Sequence, residues 1–171
     1  TSHSEMASVA IAKRNATPYR INRWFRDEVL SKLDVNVLDA FGVGDWVFDR
    51  LDLIGDRTFY KDHFVDNNTR FYNDGESPNG APVWKALIEY GGAYRPSQMK
   101  CTDEDIQDES AWAFNEFGVS LNNCDSIVAN PIASLGQFGL RGVVHAWHLQ
   151  FMRDNSWSRL IARRDRSRSG G

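Results

Sequence analysis

The stretch IASLGQFGLRGVVHAWHLQFM, residues 132–152, is the longest apolar run in the chain, and whether it crosses a membrane or packs inside a protein decides the fold class. A span needs about twenty predominantly apolar residues, and a central arginine costs roughly 2.5–3.5 kcal/mol on insertion. Arg141 stands in the middle of this run, accompanied by Ser134, Gln137, His145, His148 and Gln150. These groups disfavour a span at 132–152 without excluding it, although Gly136, Gly139 and Gly142 would suit close packing of membrane helices. The run is therefore expected to be a buried helix at a protein contact. Leu140, Val144, Trp147 and Phe151, at spacings of four, three and four, form its inward stripe.

On that helix His145 and His148 lie one turn apart, two of four histidines in the chain. Such a pair can grip one metal ion or offer an axial nitrogen to a tetrapyrrole, but a zinc site needs a third and usually a fourth donor. Only His3 and His63 remain as histidines and no HExxH is present. Both are expected to pack at the edge of an aromatic contact, their ring nitrogens facing carbonyls, a carboxylate or water. No metal or cofactor is expected; axial ligation is the single cofactor role left to His145 and His148.

Other chemical motifs fail on spacing. The acidic group Asp103, Glu104, Asp105, Asp108 and Glu109 reads as a helix start favoured by the positive end of the helix dipole. The loop DNNTRFYNDGE puts Tyr72 and Arg70 where a calcium loop needs oxygen ligands. Phe41-Gly-Val-Gly-Asp45 lacks the third glycine and preceding strand of a phosphate cradle, and no GxSxG surrounds a serine. Cys101 and Cys124 have no CxxC spacing and are expected to be buried free thiols.

Outward from this run, 171 residues with 42% hydrophobic side chains suffice for one folded domain. Thr17 and Pro18 read as cap and first position of a helix over 19–33, with Ile21, Trp24, Phe25, Val29 and Leu33 on its apolar face. A short segment follows from Asp34 to Phe41. Asp45 opens a helix that ends at Ile54 before Gly55. Residues 56–80 read as a long ordered loop with one short strand. Pro82 opens a helix running to Tyr90, and Tyr94-Arg-Pro96 begins an extended crossing. Thr102 and Asp105 form a capping box for a helix that buries Ile106, Ala113, Phe114 and Phe117 and stops at Gly118. The predicted fold is mainly α, a single irregular helical domain over 17–164 with long ordered loops and room for one short β-hairpin. Extended basic arms flank it at 1–16 and at 165–171, the latter rich in Arg, Ser and Gly.

The net charge of −3 conceals a segregation. Residues 1–26 carry five basic groups against Glu5, and residues 153–171 carry six arginines against Asp154 and Asp165. Basic ends on an acidic body suit anionic lipid, nucleic acid or acidic protein neighbours. The contact residues expected are Arg14, Arg20, Arg23, Arg159, Arg163, Arg164, Arg166, Arg168 and Trp157. Arms of this composition bury too little apolar surface to offset their own ordering entropy, so neighbouring chains are needed to hold them. The expectation is a non-catalytic structural subunit of a large protein complex, held by protein–protein interaction. Its expected place is an organelle, mitochondrion or plastid, peripheral to a membrane complex on the matrix or stromal side; a start at Thr1 fits removal of a leading segment. Two alternatives stand beside it: a metal-dependent enzyme using His145 and His148, and a nucleic-acid-binding protein of a ribosome or virus particle using the Arg-rich tail.

Overall fold

The structure is a computed structural model that describes residues 17–60, 82–91 and 101–169. The N-terminal arm with Arg14, the loop from 61 to 80 and the crossing at 94–96 lie outside the described residues. The fold is mainly α with one small antiparallel sheet. The backbone groups into two compact units, Thr1–Gly92 and Ala93–Gly171.

The first unit is built on strand β1, Pro18–Ile21, which lies between β2, Phe59–Tyr60, and β3, Ile88–Tyr90. Both pairings are antiparallel, with Tyr19 opposite Phe59 on one side and Tyr90 on the other. Tyr19 and Ile21 are buried while Pro18 is exposed, the period-two pattern of a half-buried strand. Pro18 lacks an N–H but stands first in the strand, where none is required, and its carbonyl accepts from Gly91 N at 2.9 Å. A Cβ at Gly91 would meet Pro18 Cβ at 3.2 Å, so glycine permits this approach.

These strands correct the expectation of one helix over 19–33. Asn22, not Thr17, caps the first helix, α1 (Arg23–Glu28), its Oδ1 accepting from Phe25 N at 3.0 Å. The backbone then tightens into a 3-10 turn at Leu30–Lys32. Phe25, Val29, Leu30 and Leu33 are buried, and Trp24 is half-buried. The apolar spacing is the same for strand, helix and turn in succession, and the partners β2 and β3 decide which is formed. Helix α2 (Val35–Ala40) is capped by Asp34, and α3 (Asp45–Ile54) buries Val47, Leu51 and Ile54 and ends at Gly55. In α4 (Pro82–Leu87) Val83, Trp84, Ala86 and Leu87 are buried. It stops at Leu87 rather than at the expected Tyr90, because Ile88 to Tyr90 pair with β1.

The second unit begins with α5 (Asp103–Phe117). Asp105 N donates to Thr102 Oγ1 at 3.2 Å and Thr102 N to Asp105 Oδ2 at 3.0 Å, the reciprocal capping box. Gly118 ends the helix at φ +76°, in the left-handed region. Its inward stripe is Ile106, Ser110 and Ala113, whereas Phe114 is 60% exposed and Phe117 is half-buried. The small Ser110 completes the stripe by accepting from Leu121 N at 3.2 Å, and this turns Phe114 outward.

Helix α6 (Cys124–Ala129) leads into α7 (Pro131–Asp154), which holds the opening run. Gly139 interrupts α7 at φ +73°, ψ 176°, a conformation open only to glycine, so 131–138 and 140–154 are helical pieces of different direction. Beyond this kink Val143, Val144, Ala146 and Leu149 are at most 1% exposed, while Trp147 and Phe151 are only half-buried. The buried face is therefore rotated from the expected stripe, because both α5 and α6 pack against α7. Gly142 sits where a Cβ would come within 3.3 Å of Phe117 Cβ, which brings α5 and α7 close. Among the described residues no helix is long and apolar enough to cross a membrane. The last helix, α8 (Trp157–Ser169), replaces the expected arm from 165 to 169.

Candidate functional site

Two features of the second unit bear on function, an aromatic and histidine seam between α5 and α7 and the helix α8. Glu109, Trp112 and Phe117 on α5 meet Arg141, His145 and His148 on α7. The His145 ring stacks on Phe117 at 5.2 Å with 17° between planes, and meets Trp112 edge-on at 4.9 Å. His148, buried, lies edge-on to His145 at 5.1 Å and to Trp147 at 5.6 Å. The Arg141 guanidinium lies over Phe117 at 5.2 Å.

His145 Nδ1 is 3.4 Å from Glu109 Oε1, an ion-pair distance without the alignment of a hydrogen bond. Facing this ring holds the Glu109 carboxyl below its ordinary range, with burial opposing. His145 therefore lays a ring face on Phe117 and turns Nδ1 toward the Glu109 carboxylate. Among the described residues no three His, Cys, Asp or Glu side chains converge as a metal site requires.

Near this seam Arg153 grips Asp125 with two hydrogen bonds of 2.8 Å, and Gln150 Nε2 donates to the same carboxylate at 3.0 Å. Those bonds, Arg153 first, pull the Asp125 carboxyl down to about 2. Cys124 lies under this pair, its thiol pushed up by burial despite Arg153, and Cys101 is likewise raised by burial. Both cysteines are free as expected, but Cys124 alone is buried and Cys101 is half-buried. A thiol so raised is a poor nucleophile.

Two recesses have linings of described residues. One, of about 360 Å³ in the first unit, is walled by Arg50, Arg57, Thr58, Phe59 and Tyr60 among others. The other, of about 380 Å³, is walled by Asp103, Gln107, Arg153, Ser158 and Arg159 among others. His145 and His148 line neither.

Helix α8 is held at its start by three hydrogen bonds. Trp157 N donates to Cys101 O at 3.1 Å, Ser158 Oγ to Asp103 Oδ2 at 3.0 Å, and Arg159 N to Ser156 Oγ at 3.3 Å. Every side chain from Ile161 to Arg168 is exposed. Trp157 and Ile161, one turn apart, are 48% and 43% exposed. Arg163 reaches back to the Asp154 carbonyl, and Arg164 lies 3.6 Å from Asp165. The helix carries five arginines and one aspartate, while residues 101–156 carry eight acidic residues against Arg141 and Arg153. The second unit is thus an acidic body with a basic helix.

The arginines near the N-terminus are placed differently. Arg20 pairs with Glu89 across the sheet at 2.8 Å, and Glu89 also accepts from Asn22 at 3.2 Å. Arg23 is exposed, 3.8 Å from Asp56, and Arg26 bonds both Asp27 and Asp56. Among the described contact candidates, Arg159, Arg163, Arg164, Arg166, Arg168 and Trp157 therefore gather on one helix, while Arg20 serves the sheet. Sequence reading missed the Glu109, Trp112 and Phe117 side of the seam, since no local spacing links α5 to α7. Comparison of the chain with protein-family models, curated proteins and solved structures finds no match.

Proposed function

We propose that this chain is a non-catalytic subunit of a protein assembly, whose α8 docks on an acidic surface of a neighbouring protein. The observation that carries this reading is the exposure of α8, where Trp157 and Ile161 stand in solvent beside five arginines. A helix of this length is marginal in water without tertiary packing. Aromatic and arginine side chains together are the composition of interface anchors. A nucleic-acid partner is less well matched, because a phosphate backbone offers no apolar surface to Ile161 beside the arginines. Enzyme chemistry at His145 and His148 has little to recommend it, since both rings are spent in packing.

The test is a photo-crosslinking residue at position 163 of the full chain, irradiated in cells of the source organism. Adducts with peptides of one defined protein are the expected result. Adducts with nucleic acid or lipid, in place of peptides, would overturn the reading.

A further inference from the structure

Resting on the assembly reading, we infer that the neighbour which receives α8 is a second copy of this chain, bound along the outer face of α5. That face carries Glu104 and Asp108, both exposed, and its row ends one turn on at Trp112, whose ring rests against His145 at the edge of the seam and is still 40% exposed. On α8 the positions Ile161, Arg164 and Arg168 follow one another along one stripe, also exposed. Read in opposite directions the two rows match: Trp112 meets Ile161, Asp108 meets Arg164 and Glu104 meets Arg168. The rows span about 12 Å and about 10.5 Å at 1.5 Å per residue, close enough for one interdigitating contact. An apolar pair lies at one end and two carboxylate–guanidinium pairs continue from it, and a fork-shaped guanidinium suits a carboxylate in this setting.

The match holds only for antiparallel helices, and this selects another copy over the chain's own α5. Within one chain the two helices start together, tied by the Trp157 to Cys101 and Ser158 to Asp103 hydrogen bonds. Side by side from that shared start the helices would run parallel, which sets Arg168 level with Trp112 and away from Glu104. Two copies can exchange α8 reciprocally, giving a closed two-fold dimer in which each acidic body receives one basic helix.

The experiment is sedimentation of the purified full chain at low and high salt, with two charge-reversed variants. One is Glu104→Arg with Asp108→Arg; the other is Arg164→Glu with Arg168→Glu. The native chain should dimerise at low salt, with affinity falling about tenfold or more as salt screens the pairs. Each variant alone should be monomeric with unchanged circular dichroism. An equimolar mixture of the two should form a heterodimer, because each then offers what the other lacks, and a merely misfolded variant could not be rescued in this way. A native chain monomeric at about 100 µM, the weak end for a specific contact, or a mixture that stays monomeric, overturns the second-copy assignment. If crosslinks from position 163 nonetheless fall on a different protein, the assembly reading survives without it. If they fall on nucleic acid or lipid, both fail together.

Discussion

Asp125 shows how a single exposed carboxylate can be committed to the fold. Its side chain is 60% exposed, yet Arg153 and Gln150 together bring it to about 2. A folded pKa below the unfolded one adds stability at pH values above the unfolded carboxylate range, and this is lost as pH falls through the folded value. Solvent screening limits the gain, so Asp125→Asn should cost about 0.5–1 kcal/mol at pH 7. The difference from the native chain should shrink steadily as pH falls from about 4 toward 2. Urea unfolding of both proteins from pH 7 to pH 2 measures it, and a constant difference would mean that charge is not the cause. The Asp125 to Arg153 pair was not legible in the sequence, because 28 positions separate the partners and no periodicity joins them. His145 differs. Trp147 two residues on already signalled an aromatic edge, while Phe117 and Trp112, which complete it, depend on how α5 and α7 pack.

At the scale of elements, stop signals were legible and partner-dependent states were not. Gly55 and Gly118 end their helices as read, and the Thr102 and Asp105 box starts α5 as read, because caps are local chemistry. The strand at Pro18–Ile21 was missed because Tyr19 and Ile21 fit a helix face as well as a strand face. Asn22, wholly buried, joins the two levels: it caps α1, donates to Glu89 and bonds Leu87 O through its N–H at 2.7 Å. Asn22→Ala should therefore cost about 2–3 kcal/mol, more than an exposed cap, since Phe25 N and Glu89 both lose a partner in the interior. Equilibrium denaturation measures it, and a cost under about 0.5 kcal/mol would contradict this account of the junction. On α5 the corrected stripe makes its own forecast. Phe114→Ser should shift stability by less than about 0.5 kcal/mol, whereas Ala113→Leu, into a site with no exposure, should cost about 1–3 kcal/mol. The reverse order would restore Phe114 to the core.

For the whole molecule, the predominance of helix was legible from the caps and apolar spacing, while the sheet was not. Each unit has its own buried set: Phe25, Leu30, Val47, Trp84 and Leu87 in the first, Val119, Ile127, Val143, Val144 and Leu149 in the second. A fragment of residues 93–171 should therefore keep its helical circular dichroism and unfold cooperatively by itself. A fragment with flat, non-cooperative melting would show that its core is insufficient alone. The strand pairing of the first unit also sets an order of events during synthesis. Arg20 and its partner Glu89 are 69 residues apart, so β1 leaves the ribosome long before β3 exists. At roughly 5–20 residues per second, it waits several seconds with its edge unpaired. The second unit closes through helices that follow one another directly in the chain, with far shorter loops to draw shut. The first of these two units to be made is thus the slower to finish, and any factor that shields nascent chains would find its substrate at Pro18–Ile21.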